Sequence, residues 1–204
     1  MIKNIIFDLG NVVLKLKWNI VIKRYTNNKE EINLLQNVIF NSKEWINLDE
    51  GTISKKEALN IMLEKLPVSL HEYCKEIMNT WTDSLVINNE ILEFITSIRK
   101  QGYKTYILSN APLEIPEFIK SKNLEQYFDG KIISAQEKLL KPDLRIYNVL
   151  LDKFDLKAEE CLFLDDKKEN VDAAIEVGIN GYVFDYENYH QFLKDIEKYN
   201  IHIK

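Results

Sequence analysis

Apolar residues gather in short blocks along this chain, and most blocks end in a small group of polar residues. Residues 2 to 7 form an isoleucine-rich run that stops at Asp8, Gly10 and Asn11, the pattern of a buried strand opening into a loop. Similar runs occupy 103 to 108 before Ser109 and Asn110, 131 to 134, 161 to 164 before Asp165 and Asp166, and 181 to 184 before Asp185. Five strands are predicted from them. Between the runs the period changes to that of a helix: Ile87, Ile91, Ile95 and Ile98 precede Gly102, Ile146, Val149, Leu150 and Phe154 follow Pro142, and Val171, Ala174 and Ile175 precede Gly178. Strands alternating with helices predict an α/β fold, a doubly wound, Rossmann-like parallel sheet.

Residues 18 to 85 interrupt this alternation. They carry helical periodicity without a convincing strand, and Ser54 and Glu57 form a capping box ahead of Leu59, Ile61 and Met62. A small helical subdomain is therefore expected over 18–85, inserted into a core built from 1–17 and 86–204. Leu14, Leu16 and Trp18 alternate with Lys15 and Lys17, which suggests a short extended segment or hairpin leading out of the first strand. Trp45, Trp81, Tyr25 and Phe40 fall within the insertion and read first as its core, second as a substrate platform.

Composition narrows the partners. Of 204 residues, 46% are hydrophobic, enough for one compact core, and the net charge of -5 comes from acids and bases spread along the chain. No basic stripe suits a nucleic acid. No run approaches a membrane span, and the apolar start is broken by Asp8 too early for a signal peptide, so a cytoplasmic protein is expected. Cys74 and Cys161 stand far apart and read as apolar packing residues. His71, His190 and His202 have no partner at metal-binding spacing. Nothing distinguishes a monomer from a homodimer.

In an open parallel sheet, ligands bind beyond the carboxyl ends of the strands. Asp8, then Ser109 and Asn110, then Asp165 and Asp166 follow separate strands and should meet in one crevice, with Lys141 in a loop able to join them. Taken alone, each has an ordinary role: a turn for Asp8, helix caps for Ser109 and Asn110 or for the paired acids, a solvated charge for Lys141. Together they provide a carboxylate nucleophile, hard oxygen donors for a cation, groups for phosphate oxygens and a balancing ammonium.

At this point the chain resembles the haloacid dehalogenase superfamily. The first motif is Phe7-Asp8-Leu9-Gly10-Asn11-Val12-Val13 and the second Leu108-Ser109-Asn110. Lys141-Pro142-Asp143 with Ile146 and Tyr147 resembles the third, and Phe163-Leu164-Asp165-Asp166 with Asn170, Ala173 and Ala174 the fourth. The resemblance implies a small C1 helical cap over 18–85 and a Mg²⁺-dependent phosphatase acting on a small phosphorylated metabolite. It makes Asp8 the nucleophile and a Mg²⁺ ligand, with the Gly10 carbonyl a second ligand. Asp166 is implied as a direct ligand, and Asp165 as a ligand directly or through water. Ser109 and the Asn110 amide would hold the phosphate, and Lys141 would bridge nucleophile and phosphate. The Asp8-Leu9-Gly10-Asn11-Val12 variant resembles members that act on sugar 1-phosphates, so a sugar phosphate is the favoured substrate.

There is one departure. Phosphatases of this superfamily usually carry a second Asp two positions after the nucleophile, as general acid and base, where this chain has Gly10. Losing such a group costs about 10²–10⁴-fold in rate. Two alternatives to the phosphatase stay open: carbon–halogen hydrolysis, which needs no acid at position 10 but has no evident use for Asp165 and Asp166 around a cation, and a binding protein that has lost turnover.

Overall fold

The computed structural model describes residues 1–202. β1 (Asn4–Phe7) runs into a tight turn and β2 (Leu14–Leu16). Helices α1 (Asn19–Ile22), α2 (Lys29–Ile39), α3 (Lys43–Glu50), α4 (Lys55–Glu64) and α5 (His71–Thr80) follow. The chain returns through β3 (Leu85–Ile87) and then alternates: α6 (Asn89–Lys100), β4 (Lys104–Ser109), α7 (Ile115–Ser121), β5 (Gly130–Ile133), α8 (Ser134–Glu137), α9 (Leu144–Phe154), β6 (Cys161–Asp165), α10 (Lys168–Glu176), β7 (Asn180–Val183) and α11 (Tyr189–Asp195). All five expected strands form, the first beginning at Asn4 rather than at Ile2.

Those strands make one parallel sheet in the order β5-β4-β1-β6-β7. Both faces are covered, and the central strands β1 and β6 are buried along their whole length. Ile5 and Phe7 belong to one core layer with Phe94 and Ile98 of α6 and Phe192 of α11. Ile6 lies in the other, with Tyr147 of α9 and Ala174 of α10. β1 is central, and Phe7 pairs in register with Ile107 on one side and Leu164 on the other. The residues that follow these three therefore emerge level with one another at the sheet's carboxyl edge, where the strand order reverses.

The segment between β2 and β3 is helical, as its periodicity predicts. Asn28, Ser42 and Ser54 cap α2, α3 and α4 with their side chains, and the Ser54–Glu57 capping box closes in both directions, a feature worth about 1 kcal/mol. Trp18 stacks on Phe40 at 4.1 Å between ring centres, and Trp45 meets Trp81 edge-on at 5.1 Å. Tyr25 stands apart from this nest, stacked on Tyr73.

Two details differ from the sequence reading. Trp18 does not extend the strand but leads into α1. Leu85, expected as the last residue of the helical insertion, begins β3, and Ile87, read as the first of a helical series, ends it; β3 pairs antiparallel with β2. Three residues, Leu-Val-Ile, have no alternation to read; the partner strand makes them a strand.

The insertion touches the core at α3. Its helix ends on Gly51 in the left-handed region, φ 72°, and a Cβ at that position would lie 2.2 Å from the Ala135 carbonyl oxygen of α8. Only glycine permits both the turn and this approach. The Ser134 hydroxyl donates to the Asp49 carbonyl and accepts from the Ala111 amide at 2.8 Å, so one side chain joins α3 to the loop after β4.

Candidate active site

Asp8 leaves the end of β1 and stays bonded to the sheet, its amide donating to the Leu164 carbonyl at 2.9 Å. The chain then turns sharply through Asn11, φ 53°. Asn11 donates from Nδ2 to Asp166 Oδ2 at 2.9 Å, tying the loop after β1 to the loop after β6. Carboxylate oxygens of Asp8, Asp165 and Asp166 lie within 4.8 Å of one another.

Lys141 is the positive centre. Its Nζ lies 2.9 Å from Asp8 Oδ1 and 2.6 Å from Asp165 Oδ2, and donates to the Leu108 carbonyl at 2.9 Å. All three donor positions of the ammonium are engaged. Asn110 holds the lysine's backbone from both sides, donating from Nδ2 to the Lys141 carbonyl at 2.9 Å and accepting from its amide at 2.8 Å. The Asn110 side chain is thus spent on placing Lys141.

Asp165 is fully buried and heavily bonded. Its oxygens accept from Lys141, from the Lys167 amide at 2.8 Å and from Asn170 Nδ2 at 3.0 and 3.1 Å. Asn170 in turn accepts at its carbonyl from the Tyr147 hydroxyl at 2.7 Å. Asp166 is half-buried and faces the cavity. The two adjacent acids consequently differ: Asp165 is built into the protein, and Asp166 is presented outward.

Neither of the ordinary cap readings holds. α7 begins at Ile115, beyond Glu114 and without a side-chain cap, so Ser109 and Asn110 do not cap it. Lys167 directly precedes α10, again with no side-chain cap. Ser109 is buried at the end of β4 and lines the cavity.

Burial pushes the Asp8 carboxyl up to about 6; Lys141 opposes this, while Asp165 and Asp166 add to it. Asp166 is likewise raised by burial. Burial works against the ammonium of Lys141, yet Asp8 and Asp165 outweigh it and hold the group above its ordinary range. Three carboxylates around one ammonium leave an excess of negative charge made of hard oxygen donors, which fits a divalent cation such as Mg²⁺.

These residues form the floor of a cavity of about 480 Å³. Asp8, Gly10, Ser109, Asn110, Lys141 and Asp166 all line it. The insertion contributes Trp18, Phe40, Trp45 and Trp81 to the lining. The aromatic nest is therefore both core and cavity wall, and Tyr25 takes no part. His71 and His190 lie elsewhere. Asp49, in the last turn of α3, also lines the cavity and carried no sequence signal; nothing in its neighbourhood resembles a motif.

Residues 2–178 match the model of the haloacid dehalogenase-like hydrolase family, and the chain belongs to that family. It is 29% identical over 182 residues to the sesquiterpene phosphatase astK of Aspergillus oryzae, covering 88% of each protein. It is 27% identical over 134 residues to a phosphorylated carbohydrates phosphatase of Thermotoga maritima, covering 62% of each. Among solved structures it resembles a HAD family enzyme from Bacteroides thetaiotaomicron in complex with magnesium and inorganic phosphate, at TM-score 0.72 and 25% identity over 94% of this chain and 100% of that one.

Proposed function

We propose that this chain is a Mg²⁺-dependent phosphomonoester hydrolase that works through an aspartyl-phosphate on Asp8 and takes a small substrate with a largely apolar organic part. The observation that carries the reading is Lys141 pinned at 2.9 Å from Asp8 and 2.6 Å from Asp165, with Asp166 beside them. A carboxylate attacking a phosphate dianion needs its repulsion screened, and this cluster is suited to that task. Its relatives named as phosphatases support the same reaction class. Carbon–halogen hydrolysis has no comparable use for the paired acids of the fourth motif.

In this reading Asp8, Asp166 and the Gly10 carbonyl hold Mg²⁺ directly, and Asp165, its oxygens already occupied by Lys141, Lys167 and Asn170, contributes through water. Bound Mg²⁺ supplies charge neutralisation at the phosphate oxygens. Asp8 attacks phosphorus in line with the leaving oxygen, Lys141 steadies the nucleophile and the transferring group, and Ser109 with the Asn110 amide receives the remaining phosphate oxygens. The helical insertion 18–85 acts as the cap, excluding water and choosing the substrate.

The walls support an apolar substrate over a sugar phosphate. Away from the phosphate end, Asn41 and Asp49 are the polar side chains offered from the insertion, against Trp18, Phe40, Trp45, Ile46 and Trp81. A sugar hydroxyl buried against those rings without a partner costs about 1–3 kcal/mol. An alkyl or terpenoid chain gains by the same burial.

Phosphate release from a panel of alkyl, aryl, isoprenoid, nucleotide and sugar phosphates, with Mg²⁺ and with excess EDTA, tests the proposal, with Asp8→Asn as the blank. Release that needs both Mg²⁺ and Asp8, with the highest kcat/KM on apolar esters, is the expected result. Ligand and Mg²⁺ binding without release from any compound would move the binding-protein reading to the front.

A further inference from the structure

Gly10 leaves this site without an acid for the leaving group at the position where such an acid usually stands, although a Cβ there would meet only the flexible end of Leu16, Cδ1 at 3.3 Å. Another proton donor must face the same cavity. Asp49, from the helical insertion, lines the same cavity as Asp8.

Its setting is unusual for a structural acid. Asp49 Oδ1 is buried and has no hydrogen-bond partner, and it is the one side-chain atom in that condition among the described residues. The residue lies in the last turn of α3, where the helix dipole disfavours a negative charge and no basic residue of that turn offsets it. A carboxyl left unpaired in such a place costs stability. Its backbone, by contrast, is firmly anchored: Ser134 bonds to the Asp49 carbonyl and to the Ala111 amide, beside Ser109 and Asn110, and Gly51 rests on Ala135. The fold thus holds a destabilising side chain in the wall of the cavity that Asp8 lines.

We propose that Asp49 is the general acid and base of this site, supplied by the helical insertion in place of the residue missing at position 10. The inference rests on the phosphatase reading. As an Asp8 oxygen bonds to phosphorus, the ester P–O bond breaks and the departing alkoxide takes the Asp49 proton to leave as the alcohol. Water then attacks the phosphoenzyme, the P–O bond to Asp8 breaks, and the water's proton returns to Asp49. The sum is phosphate monoester plus water giving alcohol plus inorganic phosphate. The groups acting on Asp49 suit both steps: burial pushes its carboxyl up to about 8, Asp8 and Glu114 add to this, and Lys167 opposes it. Glu114 is itself paired with Lys55 at 3.4 Å.

The test compares wild type with Asp49→Asn, which keeps size and mimics the neutral carboxyl, on octyl phosphate and 4-nitrophenyl phosphate. The quantity to read is kcat/KM, which runs through departure of the leaving group. A nitrophenolate leaves without a proton and an alkoxide does not. Octyl phosphate is expected to lose about 10²–10⁴-fold in the variant while the aryl ester stays within about threefold. Wild-type kcat/KM for octyl phosphate is also expected to fall as pH rises past about 8, the value to which Asp49 is raised. Equal losses on both esters, octyl phosphate hydrolysis within about threefold of wild type, or no alkaline fall in wild type would each overturn the assignment. A wild-type enzyme that cleaves neither ester would overturn the phosphatase reading itself, and the inference with it.

Discussion

Lys141 Nζ stands 2.6 Å from Asp165 Oδ2, with both side chains almost wholly removed from solvent. The pair is a scaffold beside Asp8: Asp165, held in turn by Asn170 and the Lys167 amide, aims the ammonium at the Asp8 carboxylate. Replacing one member of a buried pair strands the other's charge, at about 3–5 kcal/mol. Lys141→Met is therefore expected to lower stability to urea by that order in the absence of Mg²⁺ and to abolish phosphate release. Equilibrium unfolding with and without Mg²⁺ measures the first part.

The adjacent acids should separate by phenotype. Asp166 is half-buried and bonded to Asn11, whereas Asp165 is sealed within the protein. Asp166→Asn is expected to raise the Mg²⁺ concentration needed for half-maximal activity at least tenfold, about 1.4 kcal/mol, with little change in melting temperature. Asp165→Asn should lose stability and activity together. Mg²⁺ titrations alongside thermal melts distinguish the two.

The raised carboxyls carry a sign for stability against pH. In Asp49 the ordinary value is 3.8 and the folded value about 8. Between them the unfolded chain has released a proton that the fold retains, so the contribution is full below 3.8, is lost as pH rises, and is exhausted above about 8. Asp49→Asn removes this loss. Its melting temperature relative to wild type should climb from pH 4 to about pH 8 and then level. A constant offset across that range would contradict the assignment. Asp8, raised to about 6, acts in the same direction over a narrower window, and Mg²⁺ should suppress its share.

An acid restored at position 10 probes the same chemistry from a second position on the cavity. Gly10 has ordinary backbone geometry, and the neighbour a side chain would press, Leu16 Cδ1 at 3.3 Å, is the end of a flexible group. Gly10→Asp is expected to add little to wild-type turnover of alkyl phosphates and to recover at least about tenfold of what Asp49→Asn loses. Turnover by the double variant, measured beside both single variants, decides it.

Substrate choice should follow the aromatic wall. Trp18 is partly exposed and stacked on Phe40, so Trp18→Ala removes cavity surface with less damage to the core than Trp45→Ala would cause. Its KM for apolar phosphate esters is expected to rise about tenfold, roughly 1.4 kcal/mol of lost burial, with inorganic phosphate inhibiting as in wild type. Steady-state kinetics on octyl phosphate with phosphate as competitor checks both.

Much of this was legible in the residues. A parallel sheet buried on both faces demands uninterrupted apolar runs, and such a run must end where the chain meets solvent, so Asp8, Ser109 and Asp165 were marked as strand-end residues by the period of the sequence alone. Gly51 and Gly10 could be seen, but not what approaches them.

Tertiary structure decided the rest, because it depends on distances between residues far apart in the chain. Asp165 and Asp166 are neighbours in sequence and alike in chemistry, yet β6 and α10 bury the first among Lys141 and Asn170 and turn the second toward the cavity. Leu85 to Ile87 became a strand only beside β2. Asp49 is an ordinary acid near the end of a helix until Ser134 and Gly51 seat that helix on the core, and burial then changes its chemistry. Periodicity reports which face of an element is dry; the protonation of a carboxyl is set by what the fold brings against it.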